Sequence, residues 1–159
     1  MSNIRVLFVC LGNICRSPTA HGVFEHLVKQ RGLHKSIETD SAGTGDWHIG
    51  RSPDVRTAQT AAAHGYDLSA LRARQVRVDD FKHFDYVLAM DNSNLNDLQV
   101  MCPEDYQGEL GLFLPYGDIL ETQVPDPYYG GDDGFTQVLS LVENASHGLL
   151  DYLIKKHKL

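Results

Sequence analysis

The chain has 159 residues, 42% of them hydrophobic and 22% charged, with a formal net charge of −7 at pH 7. Such a composition fits one globular domain with a sizeable core, spanning 1–159, and the negative balance argues against general nucleic-acid or anionic-membrane binding. The first apolar run is too short for a signal peptide and no stretch approaches the roughly 20 apolar residues of a membrane span, so a reducing cytoplasm is the expected location.

Ile4 to Val9 is a short apolar run rich in β-branched and aromatic residues, the pattern of a buried strand. It runs into Cys10-Leu11-Gly12-Asn13-Ile14-Cys15-Arg16-Ser17-Pro18, beyond which Ala20, Val23, Phe24, Leu27 and Val28 recur at helical spacing. Ser17 reads as the N-cap and Pro18 as the first helical residue, with Gly32 closing the helix after Arg31. A strand, a loop with Gly12 for tight curvature and a helix N-terminus form a cradle for an anion of phosphate size. Cys10 and Arg16 then add chemistry, because a loop this short can curl so that thiol and guanidinium face one centre. Arg16 offers a planar fork for two phosphoryl oxygens. The helix end and Arg16 together favour thiolate over thiol and make Cys10 a nucleophile. Asn13 tolerates positive φ and suits the tight turn. Ser17, besides capping, can donate its hydroxyl to the Cys10 sulfur.

Ile37 to Ser41 reads as a second strand, followed by a Gly-containing segment from Ala42 to Gly50 that carries Trp47, the single tryptophan. A loop Trp serves as a packing anchor or as a ligand wall, and its place beyond a strand end favours the wall. Ser52-Pro53 opens a second helix that runs through Ala58 to His64 and stops at Gly65. Arg72, Arg74 and Arg77 form a basic run of the kind usually found on solvated surface. The second half of Phe84 to Met90 is a third buried strand; Asp91 or Asn92 caps a helix through Leu95 and Leu98 that ends at Pro103. Leu110 to Leu114 is the fourth strand. Phe135, Val138, Val142, Ala145, Leu149 and Leu153 trace a long closing helix, its Lys155, Lys156 and Lys158 at the dipole-favoured end. Strand and helix alternate throughout, so the expected fold is a single three-layer α/β domain: a four-stranded parallel sheet with helices on both faces.

Pro115 to Gly134 lacks periodicity, and structureless runs of this length tend to be functional. Within it, Asp126 stands between Pro125 and Pro127, which limit its backbone and suit a carboxylic acid that must be aimed at a departing group. Read alone, Asp-Pro is only a turn starter. Asp132 and Asp133, just before the last helix, read as caps. Tyr128 and Tyr129 are half-exposed packing residues or the walls of a slot. Cys10, Cys15 and Cys102 make neither a disulfide framework nor a zinc pattern, so no metal is expected. Cys15 is a packing residue or a partner for a reversible disulfide with Cys10.

The segment Cys10 to Pro18 resembles the signature loop of the low-molecular-weight protein tyrosine phosphatases, and Asp126-Pro127-Tyr128-Tyr129-Gly130 resembles their second motif. The resemblance covers essentially the whole chain. It implies a flavodoxin-like, phosphotyrosine phosphatase I-like fold and hydrolysis of protein phosphotyrosine through a phosphocysteine intermediate, without cofactor. Inorganic phosphate is then the product or an inhibitor. It implies Cys10 as nucleophile, Arg16 as clamp, Asp126 as general acid and base, and Leu11, Gly12, Asn13, Ile14, Cys15 and Ser17 as the phosphate-binding loop. Trp47, Tyr128 and Tyr129 would line the substrate cleft. Asn13 would bond to Ser17, Ser41 and His64. Arsenate reductases on this fold need more downstream cysteines than Cys102, a phosphocarrier would not need Asp126, and a phosphopeptide-binding module has no use for an activated thiol. Relatives that act on phosphoarginine carry Thr at the position of Ile14 and lack the tyrosine pair.

Overall fold

The computed structural model describes residues 4–127 and 133–159. Its elements, in chain order, are β1 (Ile4–Cys10), α1 (Arg16–Gln30), β2 (Ile37–Gly43), α2 (Val55–Ala63), α3 (Asp80–His83), β3 (Tyr86–Ala89), α4 (Asn92–Met101), β4 (Glu109–Leu112), a 3-10 turn (Leu114–Tyr116) and α5 (Asp133–His157). The strands form one four-stranded sheet in the order β2-β1-β3-β4, with every pairing parallel. This is the expected α/β architecture.

The two-residue period of β1 divides the core. Ile4, Val6, Phe8 and Cys10 face a cluster that includes Phe24, Leu27, Val138, Val142 and Leu149 from α1 and α5. Leu7 and Val9 face Phe81, Phe84 and Leu98 on the other side. Alternating side chains of one strand thus serve two apolar layers, and β1 has to be apolar at nearly every position. Phe8 anchors the larger layer, with edge contacts to Phe24 at 5.6 Å and Phe113 at 4.9 Å between ring centroids. The chain leaves β1 toward β2 on one side and β3 on the other. That reversal opens a crevice at the carboxyl end of β1.

Several boundaries differ from the sequence expectation. Ser17 does not cap α1: the helix starts at Arg16 with Cys15 in the cap position and no side-chain cap bond, because the Ser17 hydroxyl is turned toward the Cys10 sulfur. Asp54, not Ser52, caps α2, its carboxylate accepting the Arg56 N–H at 2.8 Å; Pro53 holds the residue before it extended and delays the helix. β2 continues two residues further, to Gly43, and the short helix α3 has no counterpart in the sequence expectation. β4 stops at Leu112 and Leu114 enters the 3-10 turn, since Pro115 offers no N–H for the ladder. Asp91 is the cap of α4, accepting the Asn94 N–H at 2.8 Å. Arg31 caps α1 and Gly32, at φ 69°, ends it as expected. Asp133 is the first residue of α5, while the expected capping role of Asp132 lies outside the described residues.

Gly43 is where β2 meets the loop after β1. A Cβ there would lie 2.7 Å from the Leu11 carbonyl oxygen and 3.1 Å from the Gly12 carbonyl carbon, both backbone atoms. Gly43→Ala is therefore expected to cost about 1–3 kcal/mol in urea unfolding, the usual range for forced overpacking. A midpoint unchanged from wild type would show that the loop can yield without penalty.

Candidate active site

Cys10 is the last residue of β1 and is buried at the base of the crevice. Its sulfur faces donors: the Asn13 N–H lies 3.2 Å away and the Ser17 Oγ 3.0 Å away. Asn13 sits at φ 56°, a left-handed conformation uncommon outside glycine. Its side chain is secured at both ends, Nδ2 donating to Ser17 Oγ at 2.8 Å and Oδ1 accepting the Arg74 backbone N–H at 3.0 Å. The bond from Asn13 occupies an acceptor site on Ser17 Oγ. The hydroxyl proton is left for the sulfur or for the Ala42 carbonyl 3.4 Å away.

Arg16 is only 3% exposed. One of its guanidinium nitrogens, Nη1, donates to Asp91 Oδ2 at 2.6 Å and to the Val124 carbonyl at 3.1 Å; Nη2 faces Asp126 Oδ2 at 3.7 Å. Burial alone would make Arg16 easier to deprotonate, but the Cys10 sulfur, Asp91 and Asp126 outweigh it and hold the guanidinium firmly cationic. Val124 also donates its N–H to the Met90 carbonyl at 2.7 Å. The segment that carries Asp126 is thus pinned both to the end of β3 and to Arg16.

These groups open onto a cleft of about 400 Å³ lined by Cys10, Leu11, Gly12, Ile14, Cys15, Arg16, Trp47, His48 and Asp126. Buried Cys10 and Arg16 make its floor, and exposed Trp47 and Asp126 its rim. The structure therefore brings together the loop residues, Arg16, Asp126 and Trp47, all named from the sequence. Trp47 is 67% exposed. Tyr128 and Tyr129 lie outside the described residues. Cys15 packs with Ile14, Ala73 and Phe135; burial pushes its thiol up to about 12, against a smaller opposing effect of the Thr57 hydroxyl. Cys10 and Cys15 are both free thiols.

The expected support of Asn13 needs correction. Ser41 bonds not to Asn13 but to His21, with Oγ 3.0 Å from Nδ1. His64 is exposed at the end of α2, its Nδ1 2.9 Å from the Thr60 carbonyl. Asn13 Oδ1 instead takes the Arg74 N–H, because the segment around Arg74 runs alongside the end of β2. Arg74 is also not the solvated surface residue that the basic run suggested. It pairs with Asp40 at 3.0 Å and Asp80 at 3.1 Å. Sequence reasoning saw Asp91 only as a helix cap and missed its bond to Arg16; it passed over His48 and His21 altogether. Of these, only Asp91 had a sequence signal, an acidic residue just beyond a strand end.

Residues 5–159 match the pattern of the family described as low molecular weight phosphotyrosine protein phosphatase. The chain belongs to this family. A low molecular weight phosphotyrosine protein phosphatase of Schizosaccharomyces pombe is 47% identical to it over 135 residues, 84% of this chain and 86% of that one. The crystal structure of a protein tyrosine phosphatase from Entamoeba histolytica superposes with a TM-score of 0.91 at 39% identity, covering 98% of this chain and 99% of the other. That of a Drosophila arginine phosphatase superposes with a TM-score of 0.87 at 34% identity, covering 94% and 97%. One fold thus carries phosphatases of two stated specificities.

Proposed function

We propose that this family member is a protein-tyrosine phosphatase that hydrolyses phosphotyrosine and aryl phosphates through a phosphocysteine intermediate. The observation that carries the reading is a buried cysteine sulfur with the Asn13 N–H and the Ser17 hydroxyl against it, in one cleft with a buried guanidinium and an Asp at the rim. The loop serves as the phosphate-binding loop: its N–H groups and Arg16 hold the equatorial oxygens, where charge accumulates as phosphorus passes between nucleophile and leaving group. The Cys10 sulfur attacks phosphorus in line; the phosphorus–oxygen bond to the phenol breaks, and Asp126 in its acid form gives that oxygen its proton. Asp126, now a carboxylate, takes a proton from water as the water attacks the phosphocysteine. The sulfur leaves, steadied by the Ser17 hydroxyl, and inorganic phosphate is released. The route uses no cofactor. Phosphate, which fits the same loop, is expected to inhibit as a product.

Asp91 and the Val124 carbonyl occupy Nη1 of Arg16, so the fork is held in one orientation before substrate arrives. Trp47 walls one side of a slot for a flat ring. A deep slot with the nucleophile at its floor favours aryl phosphates over the shorter phosphoserine.

Phosphoarginine hydrolysis is the second reading, favoured by the likeness to the Drosophila enzyme. Ile14, which lines the cleft where such relatives carry Thr, opposes it. Arsenate reduction is opposed by Cys102, which packs against the sheet face of Leu7 and Val9 and does not line the cleft. A nucleophilic thiol that must stay reduced supports a cytoplasmic location. No helix among the described residues is long and apolar enough to cross a membrane.

Phosphate release from a phosphotyrosine peptide, an aryl phosphate and phosphoarginine, for wild type and Ile14→Thr, tests the assignment. The wild type is expected to have the higher kcat/KM on the phosphotyrosine peptide, with Ile14→Thr narrowing the gap. Preference of the wild type for phosphoarginine would overturn it.

A further inference from the structure

The sulfur-binding geometry depends on Asn13 keeping its left-handed backbone, a conformation unfavourable for most residues other than glycine and one that persists only where its surroundings enforce it. One of the two bonds that hold its side chain comes from the Arg74 peptide. That peptide is itself placed from two directions. Along the backbone, Gly43 donates its N–H to the Arg74 carbonyl at 2.8 Å and Val76 donates to the Gly43 carbonyl at 2.8 Å, so the segment lies parallel to the end of β2. Through the side chain, the Arg74 guanidinium grips two elements at once. Nε and Nη2 donate to Asp40 Oδ2 on β2 at 3.2 and 3.0 Å, while Nη1 and Nη2 make a fork onto the buried Asp80 of α3, both at 3.1 Å. Asp80 Oδ2 also accepts the Arg77 N–H at 2.7 Å, closing the turn that leads into α3.

We propose that Arg74 is a positioning residue for the oxyanion loop: by clamping Asp40 and Asp80 it fixes the peptide whose N–H holds Asn13, and through Asn13 the donors on the Cys10 sulfur. The neighbouring Arg72 does not share the role: among the described residues it donates to the Ser69 and Leu71 carbonyls of its own turn. A lysine at position 74 would keep the charge but lose the planar fork that spans two carboxylates, so it should restore the function only in part.

The inference rests on the phosphatase reading for its importance but not for its test. Two readouts are taken per iodoacetate-titratable Cys10: kcat/KM on an aryl phosphate, and the phosphate concentration that half-protects Cys10 from iodoacetate. For Arg74→Gln, kcat/KM is expected to fall about tenfold to a hundredfold, the scale of a small misplacement of catalytic groups, and the half-protecting phosphate concentration to rise. Arg74→Lys should recover part of both, and Arg72→Gln should match wild type. In an Asn13→Ala background, Arg74→Gln should add little, since the contact through which it acts is already gone. Wild-type values per labelled site for Arg74→Gln, or fully additive losses in the double variant, would overturn the proposal. Should Arg74→Gln fail to fold, Asp40→Asn weakens one side of the clamp and leaves the fork on Asp80; an unchanged phosphate protection there would also overturn it. A wild type without aryl phosphatase activity sinks the enzymatic reading alone, because the protection measurement still reads Arg74.

Discussion

Cys10→Ser is expected to abolish turnover of aryl phosphates while leaving the fold intact. A serine hydroxyl is a far weaker nucleophile than a thiolate at neutral pH, and among the described residues the side-chain and N–H contacts at position 10 are Ser17 and Asn13, neither of them a base. The substitution is nearly isosteric and the Asn13 and Ser17 donors remain, so phosphate should still bind and unfolding should be little changed. The same sulfur should be the one that iodoacetate marks first in the wild type, with phosphate slowing the labelling. Cys15, a few residues away in the same cleft, is the internal control. Burial pushes its thiol up to about 12, so at neutral pH it stays protonated and should label slowly. Peptide mapping after brief alkylation checks both statements. Preferential labelling of Cys15, or residual turnover in Cys10→Ser comparable with wild type, would remove Cys10 from the mechanism.

Asp126→Ala is expected to lower kcat by about 10²- to 10⁴-fold, the usual worth of a positioned proton donor. The size should depend on the leaving group: large for a simple phenol, which departs poorly as an anion, and small for a strongly acidic one that needs no proton. A series of aryl phosphates of graded leaving-group acidity therefore gives a shallow dependence in the wild type and a steep one in the variant. The affinity of the variant for phosphate should hold, because Arg16 keeps its Asp91 and Val124 partners. Equal dependence on leaving group in both proteins would assign the proton to another residue.

Much of this site is legible in the sequence, for a local reason. Strand, turn and helix N-terminus follow one another without interruption, so short-range geometry already brings Cys10, the Asn13 N–H and Arg16 to one end of β1. Asp126 can be read from its two prolines, which report a restrained backbone whatever the surroundings. The helix caps are less secure. Ser17 has the residue type and position of a cap, yet its hydroxyl finds the Cys10 sulfur and the Asn13 amide instead, and in that competition tertiary contacts prevail over local propensity. Asp54 takes the place of Ser52 because the proline between them delays the helix start.

What the order of residues determined by itself was the alternation of strand and helix, the apolar character of β1 on both faces and the unbroken run of strand, loop and helix that carries Cys10 and Arg16. What only the tertiary structure decided was which distant groups hold that loop in shape. Asp91 lies 75 residues from Arg16, and the Arg74 N–H lies 61 residues from Asn13. Periodicity and turn chemistry act between neighbours in the chain, whereas these partners meet because the order β2-β1-β3 gathers the carboxyl ends of three strands around one point. The sequence puts Asp91 just beyond a strand but does not say which strands will lie beside that one, and it puts no mark on Arg74 at all; sheet order supplies that information, and with it the distinction between a solvated arginine and one that grips Asp40 and Asp80.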